Sequence, residues 1–122
     1  MSKNYKELSD TQINRLVAGT LGFDEFGHGY VDGYDGLYQY MTHKGSEWRH
    51  MLPDYCNNPA YSMPLVFAEQ ITIMFDGGLK PIAMTVDSIG QCFEVSFEHL
   101  VEDDNPLRAA MIVYLLKKGV LS

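Results

Sequence analysis

The chain has 122 residues, of which 46% are apolar and 20% are charged, and its formal net charge is −7. This size and composition predict one globular domain, spanning residues 1–122, that encloses a core of its own. The negative charge disfavours nucleic acid as a partner because it repels phosphate groups, and 16 acidic against 9 basic side chains are too dilute for a mimic of DNA. No apolar run approaches the ~20 residues of a membrane span, and MSKNYKELSD lacks the apolar stretch of a signal peptide, so we expect a cytoplasmic protein with no membrane partner.

The first predicted element is a helix within LSDTQINRLVAGTLG. Ser9 is placed as its N-cap, and Gln12, three residues later, completes a capping box. Gly19 or Gly22 is expected to end the helix in a left-handed conformation.

The next segment, GFDEFGHGYVDGYDG at 22–36, holds five glycines and four acidic residues. A helix is excluded here because each interior glycine costs about 1 kcal/mol. The segment is predicted to be a long loop, or a short β-ribbon with turns at 27–29 and 32–33. LYQYMTH at 37–43 is rich in strand formers and is predicted as the first strand, followed by an irregular stretch at 44–55.

The second helix is predicted in NPAYSMPLVFAEQ. Asn58 is its cap and Pro59 takes the first helical position, where the missing N–H does no harm. Pro64 lies beyond the first turn and is expected to kink or restart the helix. Three core candidates follow it: Leu65, Val66 and Phe67.

An antiparallel meander is predicted in the centre of the chain. Its strands are ITIMF at 71–75, KPIAMTV at 80–86 and QCFEVSF at 91–97. The turns are DGG and DSIG. Period-two alternation in the third strand indicates one buried and one solvated face.

The last helix is predicted to begin after Asn105, with Pro106 at its first position, and to end at Gly119. Its broad apolar face indicates tight packing on the sheet. The order helix, strand, helix, three strands, helix predicts an α+β fold: a small antiparallel sheet of three to four strands, sandwiched or covered by three helices.

No strong catalytic or metal-binding grouping is found in the sequence. The histidines are scattered, and the closest set, His43, His50 and Cys56, would need converging loops to hold zinc. The acidic residues between 24 and 35 do not follow the ligand pattern of an EF-hand. The two cysteines, Cys56 and Cys92, are expected to be free and buried. We therefore expect no metal, no cofactor and no enzymatic activity.

The two Asn-Pro helix starts suggest a candidate ligand site. Unpaired N–H groups at a helix start bind anions, and a thiol facing such a terminus has a lowered pKa. Helix capping alone is the simpler interpretation and is favoured. The candidate ligand-binding residues are Cys56, Asn57, Asn58, Asn105 and Arg108.

Arg108 is the residue in this set that capping does not explain. It lies in the first turn of the last helix, where the helix dipole disfavours a cation. Glu102, Asp103 and Asp104 are its expected partners, and a bound phosphate or carboxylate is the alternative.

Aromatic residues next to glycines form a candidate partner-binding surface, because tyrosine gives contact area at a low cost in rotamer entropy. Its members are Tyr30, Tyr34 and Trp48. Tyr38 and Tyr40 are instead expected to share one face of a strand.

Three segments resemble the NinX-like family of tailed bacteriophages: LSDTQINRLVAGTLG, DYCNNPAYSMPLV and NPLRAAMIVYLL. The family motifs are LSD-x-x-IN-x-LVA, CNNPADAWPII and NPLRAAMIVFL. Tyr61 and Met63 depart from the usual Asp and Trp, and Tyr114 replaces Phe, while 23–53 is not covered. The resemblance implies a phage αβα-sandwich domain, with a small antiparallel sheet between helices, in a family of unknown function.

The leading functional hypothesis is a phage or prophage accessory protein that acts without catalysis by binding a host protein, in host takeover or counter-defence. The alternative is a protein that binds or sequesters a small anionic ligand such as a nucleotide. A homodimer is a further expectation, because a small sheet has edges that need covering.

Overall fold

The computed structural model describes residues 5–29, 38–75, 77–78, 80–89 and 95–122. In this part of the chain the helices are α1 (Asp10–Thr20), α2 (Pro59–Ala68) and α3 (Pro106–Lys117), with a short 3₁₀ helix at Tyr5–Glu7. The strands are β1 (Glu25–Gly29), β2 (Tyr38–Thr42), β3 (His50–Met51), β4 (Ile71–Met74), β5 (Ile82–Ile89) and β6 (Val95–Glu102). The α+β prediction and the three predicted helices are confirmed.

The strands form two antiparallel sheets, one ordered β1-β2-β3 and the other β4-β5-β6. The predicted sheet of three to four strands corresponds to the second sheet alone. The predicted turn at 27–29 is wrong, because these residues belong to β1 and pair with β2. The turn predicted at 32–33 lies outside the described residues. Within the segment predicted to be irregular, β3 pairs with β2.

The helix ends follow the predicted pattern. Ser9 and Gln12 form both hydrogen bonds of the capping box. Asn58 caps α2 through the Ala60 N–H. Gly22, with φ of 102°, follows the last turn of α1 and adopts the left-handed conformation that was expected of Gly19 or Gly22.

Helix α2 runs without interruption through Pro64. The expected restart is therefore absent. Val66 is buried and Leu65 packs against the core, but Phe67 is 73% exposed, so its assignment to the core is wrong. A helix that presents only one side to the rest of the protein cannot bury three consecutive residues.

The second sheet differs from the prediction in its strand boundaries. The turn predicted within DSIG is wrong, because β5 continues to Ile89, and β6 continues to Glu102. Residues 91–94 of the predicted third strand lie outside the described residues. The pairing of β5 with β6 is irregular near Val86, which moves the register along the strands.

Helix α3 is the centre of the core. Its seven residues from Ala109 to Leu115 are all buried, and the predicted tight packing of this helix on the sheet is confirmed. It packs against all three strands of the second sheet and against α1 and α2. The N-terminal ends of α1 and α3 and the chain before α2 thereby lie side by side.

Candidate functional site

A hydrogen-bonded cluster connects the starts of α1 and α3 with the loop before α2. We call it the polar junction. Its side chains are those of Asp10, Asn14, Asp54, Asn57, Asp103, Asn105 and Arg108, together with the main chain and thiol of Cys56. Four of the five predicted ligand-binding residues therefore lie in one place.

Arg108 is the cation of the junction. Its Nη1 donates to Asp10 Oδ1 at 2.7 Å and its Nε donates to Asp103 Oδ2 at 3.1 Å. Its Nη2 donates to the Leu8 carbonyl at 2.6 Å. The arginine side chain is only 12% exposed. Asp103 was an expected partner and Asp10 was not.

The other two acidic residues expected beside Arg108, Glu102 and Asp104, have no carboxylate oxygen within 4.0 Å of its guanidinium in the described structure. Asp104 instead lies 3.6 Å from Lys80 Nζ, with both side chains largely exposed. The carboxylates of Asp10 and Asp103 and the carbonyl of Leu8 explain why a cation is stable at the start of α3.

Asn105 uses its whole hydrogen-bonding capacity. Its Oδ1 accepts from the N–H groups of Leu107 and Arg108, which is the predicted helix cap. Its Nδ2 donates to the Cys56 carbonyl at 2.7 Å and to Asn57 Oδ1 at 2.8 Å. Two donors and two accepting lone pairs are the full complement of an amide side chain.

Asn57 connects Asn105 with two carboxylates, those of Asp54 and Asp10. Its Nδ2 donates to Asp54 Oδ2 at 3.0 Å and to Asp10 Oδ2 at 3.1 Å. Asn14 connects the same region from α1, since its Nδ2 donates to Asp54 Oδ1 and its Oδ1 accepts from the Cys56 N–H, both at 3.1 Å. Asn58, the fifth predicted residue, caps its own helix.

The thiol of Cys56 is fully buried beneath the junction. Its Sγ lies 3.8 Å from the Asp10 carbonyl. Burial, followed by the negative charge of Asp10, raises the pKa of the thiol to about 12. The lowered pKa considered from the sequence is therefore wrong, and Cys56 is suited to packing rather than to nucleophilic attack. Cys92 lies outside the described residues.

The partner-binding residues predicted from the sequence are only partly described. Tyr30 and Tyr34 lie outside the described residues. Trp48 is 80% exposed on the segment before β3, and its main-chain N–H donates to Ser46 Oγ. Tyr38 and Tyr40 share one face of β2, as expected, with their ring centres 5.8 Å apart.

A second apolar surface was not predicted. The core side of the second sheet carries Ile71, Ile73, Ala83 and Val101. The opposite side, which we call the outer face, carries Met74, Val86, Phe97 and Leu100, each 38–51% exposed. Strand pairing joins Val86 with Phe97, and Leu100 with the buried Met84. Residues three apart lie on opposite sides of a regular strand, so the sequence pattern did not predict the outer face. The register irregularity places Phe97 and Leu100 on the same side.

A pocket of about 380 Å³ opens on the first sheet. Its lining combines Glu25, Phe26, Tyr40 and Thr42 of the sheet with Ser46, Glu47 and Arg49 of the following loop. Thr42 Oγ1 donates to Glu25 Oε2 at 3.1 Å, and the Arg49 guanidinium lies 4.4 Å from the centre of the Tyr40 ring. The described lining carries two carboxylates and one guanidinium, so its formal charge is negative and it does not favour an anion.

Two further observations bear on the site. In residues 5–29, 38–75, 77–78, 80–89 and 95–122, no group of three histidine, cysteine, aspartate or glutamate side chains is arranged to hold a metal ion. No helix in these ranges has the length and apolar character needed to cross a membrane.

Comparison of the chain with protein-family models, with curated proteins and with solved structures found no match.

Proposed function

We propose that this chain is a phage or prophage accessory protein that acts without catalysis, in the cytoplasm of the host bacterium, by binding a host protein. The resemblance of three segments to the NinX-like family supports the phage setting. The geometry that carries the proposal is the outer face of the second sheet, where four large apolar side chains are exposed.

The outer face has the chemistry of a protein contact. Met74, Val86, Phe97 and Leu100 lie on the same side of the sheet as the buried Met84, and the other side of the sheet is the core. Exposed apolar patches of this kind occur at sites of protein association, and methionine and aromatic side chains are enriched there. Trp48, exposed on the segment before β3, is a further aromatic side chain available for contact.

A nucleotide or other anion at the polar junction is the second hypothesis, and its residues do lie together. The charge of the junction disfavours it. Asp10, Asp54 and Asp103 bring three carboxylates to one guanidinium, and that guanidinium already donates to two of them. An anion would therefore meet net negative charge, so we place protein binding first.

The test is affinity capture from a lysate of the host bacterium, with wild-type protein and two matched variants. Leu100→Arg places a charge on the outer face, and Phe67→Arg places the same charge at an exposed position of α2. We expect one host protein to be recovered by wild type and by Phe67→Arg and to be lost with Leu100→Arg. Equal recovery with all three, or recovery of no protein, contradicts the proposal.

Two measurements separate host binding from self-association. Light scattering gives the mass of the purified protein in solution. If that mass is a dimer's, and Leu100→Arg dissociates the dimer, then the outer face binds a second copy of this chain instead of a host protein. The emission of Trp48, the single tryptophan, is expected to shift to the blue on host binding if its indole is covered.

A further inference from the structure

Arg15 is a cation without an anionic partner in the described part of the chain. Its Nη2 donates to the neutral Gln39 Oε1 at 2.6 Å, and its guanidinium carbon lies 6.0 Å from the centre of the Phe26 ring. Among the described residues no carboxylate oxygen comes within 4.0 Å of it. Its Nε is buried and has no hydrogen-bond partner there. A buried donor of a charged group without an acceptor is unfavourable and needs an explanation.

The same side chain lines a pocket of about 280 Å³ between α1 and β1. The lining consists of Leu8, Gln12, Arg15, Leu16 and Phe26. The leucines and the phenylalanine make its walls apolar, and Arg15 is the one charged group among the described residues of the lining. None of these lining residues is a member of the polar junction or of the outer face, but the pocket adjoins the junction at Leu8, whose carbonyl accepts from Arg108.

We propose that this pocket binds a small organic carboxylate. The carboxylate would accept from Arg15, including the Nε–H that lacks an acceptor, and the apolar part of the ligand would pack against Leu8, Leu16 and Phe26. A guanidinium presents parallel N–H groups that match the two oxygens of a carboxylate, and hydrogen bonds between two charged groups are stronger than those between neutral ones. Apolar walls with one polar group that fixes orientation are typical of small-molecule sites.

The contrast with Arg108 supports this assignment. Arg108 has two carboxylates and a carbonyl as acceptors within the chain, whereas the acceptor that the structure gives Arg15 is one neutral amide. Because Nε is buried in this conformation, the Arg15 side chain must rotate before Nε can donate to a ligand. Of these two half-buried arginines, Arg15 is the one with a donor left for a ligand.

The test compares acids with their neutral amides by calorimetry and by NMR of the labelled protein. The probes are 3-phenylpropionate and hexanoate, with 3-phenylpropanamide and hexanamide as controls. We expect the acids to bind at least about tenfold more tightly than the amides, because the charge-assisted hydrogen bonds are lost with the amide. The largest shifts are expected at the amides of Gln12, Leu16 and Phe26.

Three variants test the role of Arg15. Arg15→Met is expected to reduce acid binding to the level of the amide, and Arg15→Lys to weaken it, because lysine lacks the fork of parallel donors. Arg49→Met removes an exposed arginine from the other pocket and is expected to leave binding unchanged. Acids and amides that bind alike, acid binding that survives Arg15→Met, or no binding of either acid would overturn the proposal. If Arg15→Met fails to fold, the acid-to-amide ratio and the mapped shifts in wild type decide.

Discussion

Replacing Arg108 with methionine tests whether the polar junction stabilises the fold. Methionine keeps much of the apolar stem but removes every donor of the guanidinium. The carboxylates of Asp10 and Asp103 would then lose hydrogen bonds of 2.7 and 3.1 Å, and the Leu8 carbonyl would lose one of 2.6 Å.

The expected loss follows from burial. Breaking a fully buried ion pair costs about 3–5 kcal/mol. Here the arginine is 12% exposed and Asp103 is 19% exposed, but Asp10 is 44% exposed and regains solvation when its partner is removed. We therefore expect Arg108→Met to lower the free energy of unfolding by about 2–4 kcal/mol. For a chain of 122 residues this corresponds to a fall in Tm of roughly 8–16 °C.

Urea unfolding followed by circular dichroism measures the change, and Lys80→Met is the matched control. Lys80 also pairs with an aspartate, at 3.6 Å, but both side chains are more than half exposed, so its loss is expected to cost about 0.5 kcal/mol or less. Arg108→Lys should lie between the two, because it restores charge without the fork of donors. The reasoning is refuted if Arg108→Met costs no more than Lys80→Met at an unchanged m-value.

Three further predictions concern single positions. Asn105→Asp keeps the helix cap but loses two donated hydrogen bonds and adds a carboxylate to the junction. We expect it to lower the free energy of unfolding in urea by about 2 kcal/mol. The matched control is Asn58→Asp, at a residue that only caps α2, and it should change the free energy of unfolding by less than about 0.5 kcal/mol. Gly27→Ala should lower the free energy of unfolding by about 1–3 kcal/mol, because the added Cβ would clash with the ring of Tyr40. In the control, Gly29→Ala, the added Cβ makes ordinary contacts, so this variant should unfold at nearly the wild-type urea concentration. Cys56 should resist iodoacetamide at pH 8 in the folded protein and react after unfolding. Folding raises the pKa of the Cys56 thiol from 9.0 to about 12, so the thiol ionises at a lower pH in the unfolded chain than in the folded protein. The contribution of Cys56 to stability should therefore fall as the pH rises from about 9 to 12. Rapid labelling of Cys56 itself in the folded protein at pH 8, located by peptide mass spectrometry, would contradict that burial.

The parts of the fold that depend on local sequence were predictable. A capping box needs only Ser9 and Gln12, and the start of α3 needs only Asn105 and the proline after it. The broad apolar face of α3 predicted its tight packing on the sheet, because a helix that is apolar on most sides must be buried.

The division into two sheets was not predictable in the same way. Strand β3 has two residues and carries no pattern of its own, so its pairing with β2 depends on the tertiary structure. The extension of β5 to Ile89 overrides a turn-forming sequence, because strand pairing along its length outweighs local preference. The irregular register with β6 is likewise a property of the pair of strands.

The partners of Arg108 show where prediction of the site from sequence ends. Asp103 lies five residues away and was among the expected partners, but Asp10 lies 98 residues away on another helix. No periodicity connects residues at that separation, and only the packing of α1 against α3 brings them together. The sequence did carry one relevant observation, that a cation at the start of a helix needs an acceptor, and the structure provides two carboxylates for it.

The two Asn-Pro helix starts have different roles because of what lies next to them. Both asparagines accept main-chain N–H groups through Oδ1, which any cap would do. Only Asn105 also donates, to the Cys56 carbonyl and to Asn57, which belong to the loop that leads into the other Asn-Pro start. The amide of Asn105 therefore fastens the beginning of α3 to the beginning of α2, and aspartate, an equally good cap, would not. The sequence CNNP provides one end of that connection and Asn105 the other. Packing at the polar junction therefore explains why the chain has both Asn-Pro motifs without reference to a ligand.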